Sequence, residues 1–373
     1  MEDLKLWLWY TMAMGGAKAL ARELYNKVKS VEKIYNFTRS DYRELGIKTD
    51  KKIEALCDKS LDRADKTIWY AKQYGVDFIT IDDVANYPTN LKNIYDPPLL
   101  LYKRGVHFKP ETELYVSIIG TKEASKEGVA AAYNIASDLA AAGVTVVGGM
   151  SPGIEMAAHR GCLDAGGKTV AVMVTGVNSA SQNNADFMRR VLNNGALLSE
   201  FSFDEPFYVG NYAQRNRIIT GLCIGTVIVE APEGSKSLFT AKMAVEQNRD
   251  LFAVPGKPGE KNSVGVNELL KEGAILVTEA RDILKEYEKT YPGLINTEVF
   301  SKYDVEFNVP ETSYQQTNIE NAIMSSLKGT HKGIQELLND TKIPISQLNG
   351  SITLLELQGK IEKDEFGDYR LTN

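Results

Sequence analysis

The chain has 373 residues, of which 43% are hydrophobic and 25% charged, and carries a net charge of −6. That length is too great for one compact core, so two or three domains are expected. No apolar run approaches the roughly 18–20 residues that span a bilayer. Met1-Glu2-Asp3-Leu4-Lys5 lacks the basic-then-apolar layout of a secretory signal, so a cytoplasmic location with no membrane partner is expected. Cys57, Cys162 and Cys223 are scattered without a C-x-x-C pair, and His107, His159 and His331 are equally dispersed. A disulfide framework, a zinc site or any other cofactor is therefore not expected. Residues 1–112 are slightly basic and every later segment is acidic, which excludes the broad basic stripe of a nonspecific duplex binder. Nucleic acid, if bound, needs a small focused pocket.

Residues 1–72 show helical periodicity in Trp7, Tyr10, Met14, Leu20, Leu24 and Val28, punctuated by Gly15-Gly16 and Gly46. They read as a small all-α domain similar to a helix-hairpin-helix or SAM-like bundle, serving either as a packing appendage or as a DNA contact. From residue 75 the pattern changes. Val76–Ile81 and Leu99–Tyr102 are short apolar runs separated by Asp96-Pro97-Pro98. Further runs follow at Leu114–Ile119, Val144–Val147, Thr169–Val174, Ala196–Leu198, Thr226–Val229, Leu251–Val254 and Ile275–Val277, with helical stretches such as Val129–Ala142 and Leu238–Gln247 between them. Continuous Val/Ile/Leu strands alternating with helices predict an α/β, Rossmann-like parallel sheet over residues 75–288. Such sheets bind ligands at the carboxyl ends of their strands. Residues 289–317 read as an acidic linker containing Pro292 and Pro310. Residues 318–373 predict three helices and a hairpin around Gly367, the outline of a winged helix. Its third helix, Ile345–Leu357, has no Lys or Arg, so protein contact or structural support is as consistent with it as DNA recognition.

Three small-residue turns follow strands at the same edge. Gly120-Thr121-Lys122, with Ser125 at the next helix start, combines a glycine turn, exposed N–H groups and a cation. Gly148-Gly149 with Pro152-Gly153 repeats the design, as does Gly234-Ser235-Lys236-Ser237, followed by Thr240. Together they predict a shared phosphate-binding cleft. Tyr212-Ala-Gln-Arg215-Asn216-Arg217 places two arginines around an amide, three residues after an aromatic ring. Such a string grips phosphates while the ring stacks on a base; the alternative is solvated arginines and a packing tyrosine. Enzyme motifs fare worse. Gly149-Met-Ser151-Pro-Gly153 fits a nucleophile elbow, but His159 adjoins it and His331 lies in another domain, so no triad assembles. Gly166-Gly167-Lys168-Thr169 resembles a P-loop end, yet Cys162 stands where its first glycine belongs and a strand follows. His159 reads as a buried or capping histidine.

At these residues the sequence resembles the DNA-processing protein A (DprA, or Smf) family. The likeness runs in order through Tyr87-Pro-Thr-Asn-Leu91, Asp96-Pro97-Pro98 to Tyr102, Gly120-Thr121-Lys122, Gly153-Ile-Glu155 with Ala158-His159, and Ala165 to Thr169. It continues through Ser199-Glu200, Arg215-Asn216-Arg217-Ile-Ile219, Ser237 to Ala241, Val254-Pro255-Gly256 and Gly265-Val-Asn267. The resemblance implies a helical N-terminal module, a Rossmann-like domain that forms a homodimer and binds single-stranded DNA, and a winged-helix tail. It also implies a non-enzymatic role in natural transformation and recombination, protecting incoming DNA and loading the RecA recombinase. Departures from the family pattern are Lys122 for Arg, Glu155 for Asp, Lys236 for Gly and Tyr212 for Phe, and Ser179–Asn184 in place of a Tyr-Pro loop. The alternatives are a phosphoribohydrolase-like nucleotide enzyme or sensor using the same cleft, and a paralogue acting mainly as a protein-interaction module.

Overall fold

The computed structural model describes residues 2–178, 185–203, 205, 207–296, 299, 316–364 and 367–372. Chain contacts divide it into two units, Met1–Ser301 and Lys302–Asn373. The first begins with six helices: α1 (Glu2–Met14), α2 (Lys18–Val28), α3 (Val31–Asn36), α4 (Arg39–Glu44), α5 (Asp50–Cys57) and α6 (Asp62–Tyr74). Trp7, Leu8, Trp9 and Tyr10 are consecutive and all buried, so α1 is covered on every side and forms the axis of the group. Local chemistry sets the ends of the others. Ser30 caps α3 through Lys33 N, the Thr38 N–H donates to Asp41 at the start of α4, and Gly75 closes α6 at φ 63°.

Chain order continues with β1 (Val76–Thr80), α7 (Thr89–Lys92), β2 (Leu100–Arg104), β3 (Tyr115–Ile119), α8 (Lys126–Ala141), β4 (Thr145–Gly148), α9 (Ile154–Asp164), β5 (Thr169–Val172), α10 (Ala185–Asn194) and β6 (Gly195–Ser199). Then follow α11 (Asn211–Leu222), β7 (Gly225–Ile228), α12 (Lys236–Glu246), β8 (Asp250–Ala253), α13 (Val264–Lys271), β9 (Ile275–Leu276) and α14 (Ala280–Tyr287). These nine strands form one sheet in the order β1-β2-β6-β5-β4-β3-β7-β8-β9. From β6 to β9 every pairing is parallel, and each of those strands except β3, which follows β2 directly, is fed by a helix. β1 and β2 pair antiparallel, and β2 joins β6 antiparallel, so the expected parallel sheet carries a hairpin at one edge. The connection between β1 and β2, residues 81–99, contains no crossover helix, only the single-turn α7.

The order reverses at β3. The chain moves outward through β4, β5 and β6, then returns by α11 to lay β7 on the other side of β3. Such a reversal opens a crevice at the carboxyl ends of the strands. The expected boundary near residues 72–75 is not a seam in packing. One apolar cluster contains Trp7, Tyr25 and Ile53 from the helices, Leu101 and Val147 from the sheet, and Ile219 and Leu269 beyond it.

The second unit contains α15 (Gln316–Ser326), α16 (Ile334–Thr341) and α17 (Ile345–Leu357), with β10 (Ile361–Lys363) paired antiparallel to β11 (Tyr369–Leu371). Ile323, Leu337, Leu348, Leu355 and Ile361 build its own core. Most of the expected linker, at 297–298 and 300–315, lies outside the described residues, as do Ser179–Asn184. Among the described residues, no helix is long and apolar enough to cross a membrane, and no cluster of His, Cys, Asp or Glu could hold a metal ion.

Candidate nucleic-acid interface

All three small-residue turns lie at the carboxyl edge of the sheet, after β3, β4 and β7. What separates them is whether the following helix N-terminus is already occupied. After β3, Ser125 is the N-cap of α8 and accepts from Gly128 N at 2.9 Å. The Glu230 carboxylate sits on the same turn, accepting from Ser125 N at 2.9 Å and from the Ser125 hydroxyl. A carboxylate from the end of β7 thus fills the place expected for a phosphate. Ser125 is a cap satisfied within the protein, which corrects the expectation of a DNA contact there. Thr121 braces this turn, donating its N–H to Glu230 O at 2.8 Å, and Gly120 packs against Ile154.

The turn after β4 is occupied as well. Glu155 lies in the first turn of α9 and accepts from Ser151 N at 3.0 Å. Gly153 has φ +82°, and a Cβ there would stand 2.5 Å from Thr121 O, so α9 can start only with glycine at this point. Gly149 touches Arg215 so closely that a Cβ would lie 1.3 Å from Nη1. Arg215 Nη1 in turn lies 3.3 Å from Glu155 Oε1, with side-chain exposures of 3% and 6%. Burial alone would raise the Glu155 carboxyl; the Arg215 guanidinium and Ser151 outweigh it and hold the group below the usual carboxylate range. Beneath Gly148, the buried His159 is fixed by Gly149 O at 2.8 Å and Thr169 Oγ1 at 2.6 Å. The carbonyl can only accept, so Nε2 carries the proton. Burial pushes the imidazole's pKa down, and the ring is neutral. His159 is a structural histidine without access to Ser151 chemistry.

The turn after β7 is different. α12 begins at Lys236 behind Ser235, whose side chain makes no cap, and Ser235 Oγ is buried without a partner. Lys122 and Lys236 are both exposed and converge here on Tyr212. Lys122 Nζ stands 4.6 Å and Lys236 Nζ 5.3 Å from the ring centroid, and Lys122 also donates to the tyrosine hydroxyl at 3.1 Å. Arg215 Cζ is 5.7 Å from the same ring. An uncapped helix N-terminus, an unpartnered hydroxyl and two exposed lysines form an anion site. Ser237 and Thr240 are buried on α12, and Asn216 Nδ2 donates to Thr240 Oγ1 at 2.8 Å, a bond that ties α11 to α12.

The two arginines are not the phosphate grip that their spacing suggested. Arg215 is buried against Glu155 and contributes charge from below. Arg217 points away, toward the N-terminal helices. Its Nε lies 2.9 Å from Asp96 Oδ2 and its Nη2 2.8 Å from Glu200 Oε2. Lys18 and Arg22 of α2 complete this network at 3.3 Å from Glu200 and 3.8 Å from Asp96. Tyr212 is likewise surrounded by cations. The rings open to solvent are Phe207 and Tyr208, 54% and 70% exposed, with Phe207 6.0 Å from Tyr212 in an edge contact. Sequence reasoning passed over them, although two aromatics immediately before the Tyr212 helix were a visible signal.

Residues 77–288, more than half the chain, match the family model described as DNA recombination-mediator protein A. The chain belongs to this family. DNA processing protein DprA of Streptococcus pneumoniae is 36% identical over 219 residues, spanning 57% of this chain and 74% of that one. Protein Smf of Escherichia coli is 38% identical over 206 residues, 54% of each chain. The crystal structure of the S. pneumoniae protein superposes with a TM-score of 0.67 at 28% identity, covering 76% of this chain and 97% of its own. DprA of Helicobacter pylori, whose structure concerns a single-stranded DNA binding mode, gives a TM-score of 0.52 at 26% identity over 58% of this chain and 98% of its own. The region shared with the DprA family contains all three turns, α11, and Arg217 with its carboxylate partners Asp96 and Glu200, but not Lys18 or Arg22. Helices α1–α6 and the unit from Lys302 onward lie outside the matched residues.

Proposed function

We propose that this protein binds single-stranded DNA along the carboxyl edge of its sheet, as a handler of DNA rather than an enzyme. The carrying observation is the open start of α12, with Ser235 Oγ unpartnered and Lys122 and Lys236 gathered on Tyr212. A backbone phosphate takes the N–H groups of α12 and the two ammonium groups, while bases stack on Phe207 and Tyr208. Gly120, Gly148, Gly149 and Gly153 shape the cleft; Thr121 and Ser125 brace it. One narrow anion site flanked by aromatic rings suits a flexible strand better than a stiff duplex. The neutral His159, with both ring nitrogens held by Gly149 O and Thr169 Oγ1, supports a non-catalytic role.

In the family's setting, this reading extends to natural transformation and recombination, with protection of incoming strands, RecA loading, a homodimer and a cytoplasmic site of action. The three helices and ribbon of residues 316–372 are read as a winged helix, following the domain plan 1–72, 75–288, 289–317 and 318–373. The test is competition by fluorescence anisotropy. Unlabelled single-stranded oligonucleotide is expected to displace a labelled one at least tenfold more effectively than matched duplex. Equal displacement refutes the reading, and displacement by free nucleotide with no strand binding favours a nucleotide sensor at the same cleft.

A further inference from the structure

A second concavity lies on the other side of α11 from the anion site. It holds about 560 Å³ between the α1–α2 turn, α6, β2 and the segment after β6. Its lining is of two kinds. Pro97, Leu99, Leu100 and Tyr102 give it an apolar wall, whereas the charged side holds three cations, Lys18, Arg22 and Arg63, against two carboxylates, Glu200 and Glu205. Lys18 and Arg22 are four residues apart and share one face of α2. They reach the cavity just behind Gly15 and Gly16, where α2 starts without a side-chain cap on Ala17.

The charges here are unevenly matched. Glu200 is held by Arg217 at 2.8 Å, and Lys18 approaches it at 3.3 Å without the alignment of a hydrogen bond, leaving Nζ with no hydrogen-bond partner. Arg22 has Asp96 only at 3.8 Å, and Asp96 is already taken by Arg217 at 2.9 Å. An anionic group beside α2 would complete this shell. Opposite, Asn211 and Gln214 from the first turns of α11 line the cavity, and Gln214 Oε1 is buried without a partner. The exposed Tyr208 ring borders them.

We propose that this cavity binds a nucleoside 5′-monophosphate. The phosphate lies at the start of α2 with Lys18, Arg22 and Arg63, and the base lies between the apolar wall and Tyr208, with its edge read by Gln214. The volume falls within the usual range for small-molecule sites, about 300–1,000 Å³. The inference does not depend on strand binding at α12, because the two sites share no phosphate ligand. Occupancy would reach the strand site through Tyr208 and α11, which border both.

The test is isothermal titration of the full chain with AMP and with UMP, beside adenosine and inorganic phosphate. At least one nucleotide is expected to bind with Kd below about 1 mM, with adenosine and phosphate each at least about tenfold weaker. Arg63→Ala should weaken binding about tenfold. Gly16→Leu is the second variant: Gly16 lines the cavity and a Cβ there meets nothing within 4 Å, so leucine adds bulk to the cavity wall without removing a contact, and it should weaken nucleotide binding. Lys122→Ala and Lys236→Ala should leave nucleotide affinity unchanged, and an abasic single strand, which does not compete for the Tyr208 ring, should not displace the nucleotide. No heat at millimolar nucleotide overturns the proposal. So does binding that Lys122→Ala abolishes while Gly16→Leu spares it, which moves the nucleotide to the α12 site. A chain that binds nucleotide at the cavity but no DNA upholds this inference and sinks the strand-binding reading.

Discussion

Arg217→Ala separates a phosphate ligand from a structural anchor. The guanidinium is 7% exposed and bonded to Glu200, itself 9% exposed, and to the more open Asp96. Removing one partner of a buried ionic group costs about 3–5 kcal/mol, because the charge left behind loses its compensation. Lys18 and Arg22 remain near the two carboxylates, so the lower figure applies, about 3 kcal/mol. For a unit of this size each kcal/mol shifts the melting temperature by roughly 2–4 °C, which predicts a fall on the order of 6–12 °C. The salt dependence of DNA binding, measured where the variant is fully folded, should stay unchanged, since no phosphate contact is lost. Lys122→Ala should do the reverse, keeping its melting temperature and lowering the log–log salt slope by about 0.7. Differential scanning calorimetry with anisotropy titrations at several salt concentrations reads both. An Arg217→Ala protein that melts like the parent and loses about 0.7 in slope refutes the placement of this side chain.

Replacing Phe207 and Tyr208 together by alanine should cost about 1–3 kcal/mol in affinity for single strands and nothing for an abasic oligonucleotide, measured by anisotropy. Glu230→Ala should leave Ser125 N and the Ser125 hydroxyl without their acceptor at the start of α8, destabilising the protein by about 1–2 kcal/mol in urea unfolding, with part of the loss restored by sulfate at the vacated turn. Because burial lowers the His159 pKa below its usual 6.5, the unfolded chain takes up the proton first. Stability from this group is therefore complete above pH 6.5 and declines as pH falls below it; an NMR titration showing His159 protonated above pH 6.5 contradicts this. A truncation ending at Ser301 should keep strand affinity within about threefold, since α17 carries Glu356 and no basic residue; a loss beyond tenfold, about 1.4 kcal/mol, places the tail in the DNA site.

The strands were legible because apolar runs such as Thr226–Val229 alternate with helical stretches, and the three turns because glycine and serine follow those runs. The occupancy of the turns was not legible. Glu230 lies 105 residues from Ser125, and only strand order places the end of β7 beside the start of α8. The misreading of the arginines was avoidable. Two residues apart on a helix are about 200° apart in direction, so Arg215 and Arg217 could not share one phosphate face. The antiparallel edge was hidden because only the single-turn α7 lies between β1 and β2, too short for periodicity to show that no crossover helix stands there.

The apolar cluster that runs from Trp7 through Leu101 to Leu269 makes the first seventy residues an unlikely cassette for exchange. A graft onto another sheet would have to present the same apolar face to β2 and supply cations to Glu200 and Asp96. A bound partner that levers α2 outward would drag on those carboxylates and, through Arg217, on the helix that carries Tyr212. The N-terminal helices are thus geared to the edge proposed to bind strands, and their loosening would be felt there as a change in grip.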